Sequence, residues 1–348
     1  MRAMAVTSYE EPLEPIDVPE PVLPDRHALI EILTCGVCFS DVKTSRGHMP
    51  FSEELVLPHI PGHEIFGRVL RTEPPGLVEE GVRAIVYHYW PCGRCRACRR
   101  GDETLCARLV GWAGFTHQGG FAERIAVPID RLVSVPDAID PVHAAPMSCA
   151  LGTAYRSVVT RGGVDSGSTC VIVGLGGVGI HAAQVARAAG AIVFGLDVRE
   201  PALATAQSLD LDVRRSDDAE AIADLALTNG EGIDVVVDTV GHDDTLETAR
   251  RLVRKGGRVV TVGYSPTSSL SVPTSSLVLD EVDYVGSRFA RRDDLAKAVS
   301  LVERGLVGMV VGLVRPLEGI NDVFRALEEG SVMGRAVLQI GPDTSGVV

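Results

Sequence analysis

Four cysteines lie close together in the chain at a spacing that suits a metal ion. They are Cys92, Cys95, Cys98 and Cys106, in the pattern C-x2-C-x2-C-x7-C. Such short spacings let successive thiolates turn inward from one loop around a single tetrahedral Zn²⁺. Four thiolates leave no coordination position for a substrate, so the pattern predicts a structural zinc in a lobe of about residues 91–107. An iron–sulfur cluster also takes four thiolates and is the alternative.

A second set of metal-binding side chains is spread over three segments. Cys35 and Cys38 lie in one segment, His63 and Glu64 follow Pro-Gly in another, and Cys149 comes much later. Spacing alone does not join these segments. A lone Cys-x2-Cys pair can also be a redox pair or half of a zinc site.

A glycine-rich turn follows the apolar run of residues 170–173. Residues 174–179 read Gly-Leu-Gly-Gly-Val-Gly, which fits G-x-G-x-x-G between a strand and a helix. In that position the glycines allow a tight turn and a close backbone approach, and the helix N-terminus offers N–H groups to phosphates. The pattern favours a dinucleotide site over an ordinary turn. Its expected contacts come from Gly174, Gly176, Gly177, Val178 and Gly179.

Asp197 ends the next predicted strand. A carboxylate at this place can accept hydrogen bonds from both hydroxyls of the adenosine ribose, and it would repel a 2′-phosphate. NAD is therefore expected in preference to NADP. Arg199 is a further cofactor-binding candidate, and its positive charge makes the preference for NAD less strict.

The elements that must position these groups change character near residue 150. Residues 1–150 read as short strands with proline and glycine turns, whereas 151–288 alternate apolar strands with alanine-rich helices. Continuously apolar strands between helices predict a parallel, doubly wound sheet covered on both faces. We therefore predict an α/β protein with a β-rich domain of residues 1–150, a nucleotide domain of 151–288, and a tail from about residue 289 with helical stretches and a final strand.

Composition limits the possible partners. The chain has 348 residues, a formal net charge of −13 and no apolar run long enough to cross a bilayer. An acidic protein repels nucleic acid and anionic membranes, so neither is an expected partner. The N-terminus does not read as a signal peptide, and a cytoplasmic location is expected.

Taken together, these motifs resemble the zinc-containing alcohol dehydrogenases of the medium-chain dehydrogenase/reductase superfamily. G-V-C-x-S-D, P-G-H-E, the four-cysteine lobe and G-L-G-G-V-G occur in the family's order along essentially the whole chain. The resemblance implies a GroES-like catalytic domain formed by residues 1–150 and 289–348 and a Rossmann domain of residues 151–288. It also implies two zinc ions per chain, NAD, and a homodimer or homotetramer joined near residues 282–289.

The resemblance also implies roles for the scattered side chains around a catalytic zinc. Its ligands would be Cys38, His63 and Cys149, with the fourth position open, and Cys35 would bind nothing. Asp41 would orient His63 through its other ring nitrogen. Glu64 would be a carboxylate that can approach the zinc during ligand exchange.

Further roles concern the proton and the cofactor. By resemblance, Ser40 takes the proton of the alcohol, and Arg335 contacts the pyrophosphate. Lys43 stands where the family often has a histidine, and we expect it to hold the ribose while water completes the proton relay. The nicotinamide pocket is expected to be lined by Val262, Gly263 and Tyr264, at the end of a sheet strand.

The predicted reaction is a reversible hydride transfer between a primary or secondary alcohol and NAD, which gives an aldehyde or ketone. One alternative is a zinc-containing reductase of this superfamily acting on a conjugated C=C bond or on a specialised hydroxyacyl or polyol substrate. A second alternative is a zinc-bearing structural or redox-sensing protein without catalysis. The cysteine, histidine and serine set favours the dehydrogenase.

Overall fold

The structure, a computed structural model, describes residues 1–342 and divides them into two units. Unit 1 contains Met1–Cys149, Arg291–Val299 and residues 311–342. Unit 2 contains Ala150–Ala290 and Ser300–Val310. Within the described part of the chain, no helix has the length and apolar character that spanning a membrane requires.

Seventeen strands are present in the described residues. They are β1 (Arg2–Ala5), β2 (Glu14–Asp17), β3 (His27–Val37), β4 (Glu64–Glu73), β5 (Arg83–Val86), β6 (Tyr89–Trp90), β7 (Gly111–Trp112), β8 (Arg124–Pro128), β9 (Leu132–Ser134), β10 (Thr169–Val173), β11 (Ile192–Asp197), β12 (Asp212–Arg215), β13 (Ile233–Asp238), β14 (Val253–Thr261), β15 (Asp283–Gly286), β16 (Val311–Pro316) and β17 (Arg335–Gln339).

The α-helices of the same residues are mostly short. They are α1 (Phe39–Ser45), α2 (Arg96–Arg99), α3 (Pro141–Ala144), α4 (Ala150–Tyr155), α5 (Gly179–Ala188), α6 (Glu200–Gln207), α7 (Ala219–Ala226), α8 (Asp243–Leu252), α9 (Thr274–Leu279), α10 (Arg292–Glu303) and α11 (Ile320–Glu328). Short 3₁₀ turns cover Ser52–Glu54, Glu103–Leu105, Ile129–Arg131, Ala145–Ser148, Thr228–Gly230 and Leu317–Gly319, and a π-helical segment covers Arg156–Arg161.

Unit 1 is built on a seven-stranded sheet in which β3 is the central strand. The strand order is β16-β17-β3-β4-β5-β9, and β8 also pairs with β3. The long β3 is almost entirely buried, because apolar residues such as Ile30 and Ile32 enter the unit's hydrophobic core. The antiparallel register of β3 and β4 sets Gly36 opposite Glu64. The end of β3 and the start of β4 therefore lie side by side.

Unit 2 is built on a six-stranded sheet in the order β12-β11-β10-β13-β14-β15. All five neighbouring pairs are parallel, which confirms the predicted doubly wound sheet. The five residues of β10 are all buried, as expected for a central strand covered on both faces. The carboxyl ends of β10 and β11 carry the glycine turn and Asp197, on the edge where such sheets bind ligands.

The segment Ser300–Val310 groups with unit 2, whereas the sequence prediction kept all of 289–348 in the β-rich domain. Side chains of α5 account for the difference. Gln184 hydrogen-bonds both the N–H and the carbonyl of Gly308, and His181 accepts a hydrogen bond from the N–H of Val310. The predicted domain boundaries remain a proposal.

We expect Gly179→Ala to destabilise unit 2 by about 2–3 kcal/mol, a typical cost of overpacking. A β-carbon at Gly179 would lie 1.7 Å from the carbonyl oxygen of Gly174, a backbone atom that cannot move aside. Gly286→Ala is the control, because its β-carbon would meet nothing within 4 Å. Urea denaturation measures the stability of both variants. An unchanged midpoint for Gly179→Ala would show that Gly179 does not pack this closely against the Gly174 carbonyl.

Candidate active site and metal centres

The four lobe cysteines converge on one point. Their sulfur atoms all lie within 4.8 Å of one another, with Cys95 Sγ 3.4 Å from Cys98 Sγ and 3.9 Å from Cys106 Sγ. A tetrahedral zinc with bonds of about 2.3 Å places its sulfurs about 3.8 Å apart. All eight cysteines are free thiols rather than disulfides. The geometry fits a single ion better than a cluster whose ligands bind different irons.

Backbone N–H groups in the lobe donate to the cysteine sulfurs and stabilise the thiolate form of Cys95. Cys95 caps α2, and its Sγ accepts a hydrogen bond from the Cys98 N–H. The N–H of Cys92 donates to Cys106 Sγ. Hydrogen bonds of this kind, first that from Cys98, lower the pKa of Cys95 to about 6. In contrast, burial and the neighbouring sulfurs of Cys95 and Cys106 raise the pKa of Cys98 to about 12, so a bound cation would be needed to hold that sulfur as a thiolate.

The scattered candidates also meet at one point in unit 1. Ligand atoms of Cys38, His63, Glu64 and Cys149 all lie within 4.8 Å of one another. Cys38 directly follows β3, His63 directly precedes β4, and Cys149 ends the turn Ala145–Ser148. The β3–β4 ladder thus brings two of the three segments together. Two thiols and an imidazole form the donor set of a zinc site with an open position.

Cys35 lies outside this group. It sits within β3 opposite Ile65, and its side chain is completely buried. Burial raises the pKa of the Cys35 thiol well above its usual value. In contrast, a hydrogen bond from Cys149, together with the charges of Arg335 and His63, lowers the pKa of Cys38 despite its burial. The structure therefore gathers Cys38 and leaves Cys35 in the sheet. Cys170, in β10, is also buried, and its pKa rises to about 12.

Asp41 fixes the orientation of His63. Its Oδ1 lies 2.9 Å from His63 Nδ1, and both side chains are buried. Its carboxylate also accepts hydrogen bonds from the N–H groups of Cys38 and Gly62. Because Nδ1 is held by a carboxylate, the other ring nitrogen is left as the donor atom for a metal.

Glu64 forms a buried ion pair that the sequence did not reveal. Its Oε1 lies 3.2 Å from Nη2 of Arg335, which extends from β17, the neighbour of β3. The same guanidinium lies 4.0 Å from Cys149 Sγ. Burial raises the pKa of Glu64 to about 7, although the charge of Arg335 opposes the shift. Arg335, which the resemblance assigns to a pyrophosphate, thus contacts two members of the metal-binding group.

Ser40 and Lys43 lie on α1, immediately after Cys38. Ser40 Oγ is 3.7 Å from Cys38 Sγ and partly exposed, so its hydroxyl lies beside the metal-binding group. Lys43 is also partly exposed on the same short helix.

Aromatic side chains surround His63. The Phe115 ring centroid lies 4.7 Å from that of His63, and the His88 centroid lies 5.2 Å away. Phe115 in turn packs on Trp112 and Phe51. The spacing of Trp112 and Phe115 on one loop is a local signal for this pair, whereas Phe51 and His88 come from other segments of the chain.

The glycine turn of unit 2 leads directly into α5, which begins at Gly179. Gly174 has a φ of 85°, a conformation that favours glycine. The Leu175 N–H donates to Asp197 Oδ2 at 2.8 Å, so the predicted ribose ligand also fixes the turn. Gly176, Gly177 and Val178 lie between Leu175 and the start of α5 at Gly179.

Asp197 is paired with Arg199. Nε and Nη2 of Arg199 lie 3.1 and 3.0 Å from the two carboxylate oxygens. Burial alone would raise the pKa of Asp197, but the hydrogen bonds from Arg199 and Leu175 outweigh it and hold that pKa below its usual value. The carboxylate therefore stays ionised at neutral pH.

The predicted nicotinamide-pocket residues follow the last residue of β14. A β-carbon at Gly263 would lie 2.4 Å from backbone atoms of Val240, so this residue must be small. Val262 donates its N–H to the Asp238 carbonyl, and Tyr264 is 58% exposed. These residues occupy the carboxyl edge of the parallel sheet, as does the glycine turn.

Comparisons with known proteins identify the family of this chain. Residues 24–137 match the family model of the alcohol dehydrogenase GroES-like domain, and residues 177–304 match that of the zinc-binding dehydrogenases. An alcohol dehydrogenase of Geobacillus stearothermophilus is 33% identical over 99% of this chain and 100% of its own length. An NAD-dependent alcohol dehydrogenase of Sulfurisphaera tokodaii is 32% identical over 97% of this chain and 99% of its own.

The fold agrees as well. The crystal structure of the alcohol dehydrogenase of Aeropyrum pernix superposes with a TM-score of 0.87 at 32% identity, over 97% of this chain and 100% of that one. Similarity of this extent covers both units and both groups of metal-binding side chains. The chain is therefore an oxidoreductase that belongs to the zinc-containing alcohol dehydrogenases of the medium-chain dehydrogenase/reductase superfamily.

Proposed function

We propose that this enzyme oxidises primary or secondary alcohols to aldehydes or ketones, reversibly, with NAD and two zinc ions per chain. The observation that carries the proposal is the group formed by Cys38, His63 and Cys149 beside the buried Glu64. Two thiolates and one imidazole nitrogen fit a catalytic zinc, because three protein ligands leave one position for a substrate. The oxygens of Glu64 accept no hydrogen bond from the described residues, which suits a carboxylate held next to a cation.

The second zinc of the proposal would be held by the four lobe cysteines. Their mutual distances fit one tetrahedral ion, and no coordination position would remain open. This zinc would hold the lobe together and would take no part in the reaction.

A zinc ion at the open site supplies a Lewis acid that lowers the pKa of a bound alcohol and polarises a bound carbonyl. Asp41 keeps the proton on His63 Nδ1 and so fixes the direction of the other nitrogen. The Ser40 hydroxyl, next to Cys38, would accept the proton that the alcohol loses and pass its own proton on to water. Arg335 balances the charge of Glu64 and the thiolates. The contacts of Lys43 with the ribose and of Arg335 with the pyrophosphate remain predictions.

The proposed cofactor is NAD. The glycine turn and the start of α5 offer N–H groups to a pyrophosphate. The ionised Asp197 can accept hydrogen bonds from the ribose hydroxyls once Arg199 moves aside, and it disfavours a 2′-phosphate. Val262, Gly263 and Tyr264 would line the nicotinamide end of the same sheet edge.

The oligomeric state belongs to the same proposal. In the described residues, β15 pairs with β14 on one side only and forms an edge of the six-stranded sheet. An open edge offers unpaired backbone groups to a second chain. We therefore propose a homodimer or homotetramer joined at this edge. A cytoplasmic location stays a prediction from the sequence.

We expect Cys38→Ser to lower kcat by at least about 10³-fold, because a hydroxyl replaces a thiolate ligand of the reacting metal. The variant should also bind one zinc fewer per chain, as measured by elemental analysis. Cys35→Ser is the matched control and should keep both zincs and most of its turnover. If Cys38→Ser retains full activity, the catalytic-zinc assignment is wrong.

Chelation should separate the two proposed zincs. The site with an open position should release its ion first, with loss of alcohol oxidation, while the four-thiolate lobe keeps its ion. Zinc content and residual activity are followed together during dialysis against a chelator, and added Zn²⁺ should restore activity. Loss of both ions at one rate, or activity that survives removal of the first, would contradict the proposal.

Asp197→Ser should reverse the cofactor preference. We expect kcat/KM for NAD to fall about tenfold and that for NADP to rise, because the ribose loses its acceptor and Arg199 is freed to meet a 2′-phosphate. Asp212→Ser is the matched control, since Asp212 and Arg214 form an ion pair of the same i, i+2 spacing on β12. Steady-state kinetics give the ratio of kcat/KM for NAD to kcat/KM for NADP. If this ratio is unchanged in Asp197→Ser, Asp197 does not bind the ribose.

A further inference from the structure

A completely buried histidine lies in the first turn of the helix that follows the glycine turn. His181 Nδ1 is 2.7 Å from the carbonyl oxygen of Gly177, and its Nε2 accepts the N–H of Val310 at 3.0 Å. A carbonyl can only accept, and a backbone N–H can only donate. The imidazole is therefore neutral, with its proton on Nδ1.

The Gly177 carbonyl shares a peptide plane with the N–H of Val178. In a trans peptide, the C=O and the N–H point in opposite directions. A carbonyl held toward the helix by His181 therefore turns the Val178 N–H outward, past the N-terminus of α5. This is the direction from which a pyrophosphate would approach the turn.

A second side chain of α5, Gln184, contacts the segment that contains Val310, but it does not touch the glycine turn. Gln184 Nε2 donates to the Gly308 carbonyl at 3.0 Å, and its Oε1 accepts the Gly308 N–H at 2.9 Å. Gln184 is three residues after His181 and is also buried. Both side chains thus fasten residues 308–310 to α5, but only His181 also holds a carbonyl of the turn.

We propose that His181 is a positioning residue for the cofactor, which links the Gly308–Val310 segment to the pyrophosphate-binding turn by fixing the Gly177–Val178 peptide. The inference rests on the proposed use of the turn for NAD. By this inference, the Gly308–Val310 segment affects cofactor affinity, although it is distant in sequence from the turn. Gln184 serves stability alone.

Glutamine can replace the two hydrogen bonds of His181 described above. Gln184 shows this within the same helix, because its Nε2 also lies 3.4 Å from the carbonyl of Ile180, four residues earlier, while its Oε1 accepts a backbone N–H. His181→Gln is therefore the conservative variant. His181→Leu removes both hydrogen bonds, and Gln184→Leu removes the Gly308 contacts while leaving the glycine turn intact.

The test is a fluorescence titration of the zinc-loaded enzyme and the three variants with NADH, with thermal melting measured in parallel. We expect His181→Leu to raise the Kd for NADH about five- to tenfold, the usual effect of losing one buried hydrogen bond or slightly more. Gln184→Leu should lower Tm by a similar amount to His181→Leu and keep Kd within twofold of the wild type. His181→Gln should restore Kd. In steady-state kinetics, His181→Leu should raise KM for NAD far more than it lowers kcat.

Two results would overturn the inference. One is an equal rise of Kd in His181→Leu and Gln184→Leu, which would reduce His181 to a stabilising residue. The other is an unchanged Kd in His181→Leu. A wild-type enzyme that does not bind NADH would instead overturn the proposed cofactor, and this inference with it.

Discussion

The buried carboxylate of Asp41 is the interaction on which the metal-binding group depends. It binds the N–H of Cys38, the N–H of Gly62 and the Nδ1 of His63, and so joins two segments that carry ligands. A carboxylate buried without partners would be costly, so these three donors also account for its presence in the core. The β3–β4 ladder brings the segments side by side, and Asp41 fixes their side chains. The same carboxylate thus serves both the local fold and the chemistry.

The charges in unit 1 show the cost of building such a site. Glu64 and Arg335 are both buried, and desolvating an ion pair can cost as much as the pair returns. Replacing such a pair with apolar residues of similar volume is often neutral or stabilising. The presence of this ion pair fits a site that must hold a cation and anionic sulfurs away from water. There the interaction energy between charges is larger than in water. Asp197 and Arg199, at the rim of unit 2, face a smaller penalty because the arginine is partly exposed.

Local patterns carried most of what the sequence could predict. The apolar run of β10 and the glycines after it indicated a parallel sheet, and the spacing of the lobe cysteines indicated their convergence. Contacts between distant segments left no such pattern. The Glu64–Arg335 pair depends on β17 lying beside β3, and the His181–Val310 contact joins residues 129 apart. For the same reason, the grouping of Ser300–Val310 with unit 2 could not be seen in its composition.

The four-cysteine lobe has a consequence for the enzyme's behaviour under oxidising conditions. Its helix α2 buries none of its own residues, so apolar packing contributes little to the shape of this segment. With the metal gone, Cys95 and Cys98 would remain as neighbouring thiols whose sulfurs are only 3.4 Å apart. Thiols this close are readily oxidised to a disulfide, and a disulfide cannot take the ion back until it is reduced. The bound zinc would therefore protect these thiols from oxidation. Once the zinc is lost, an oxidant could convert the lobe into a disulfide form that no longer binds metal.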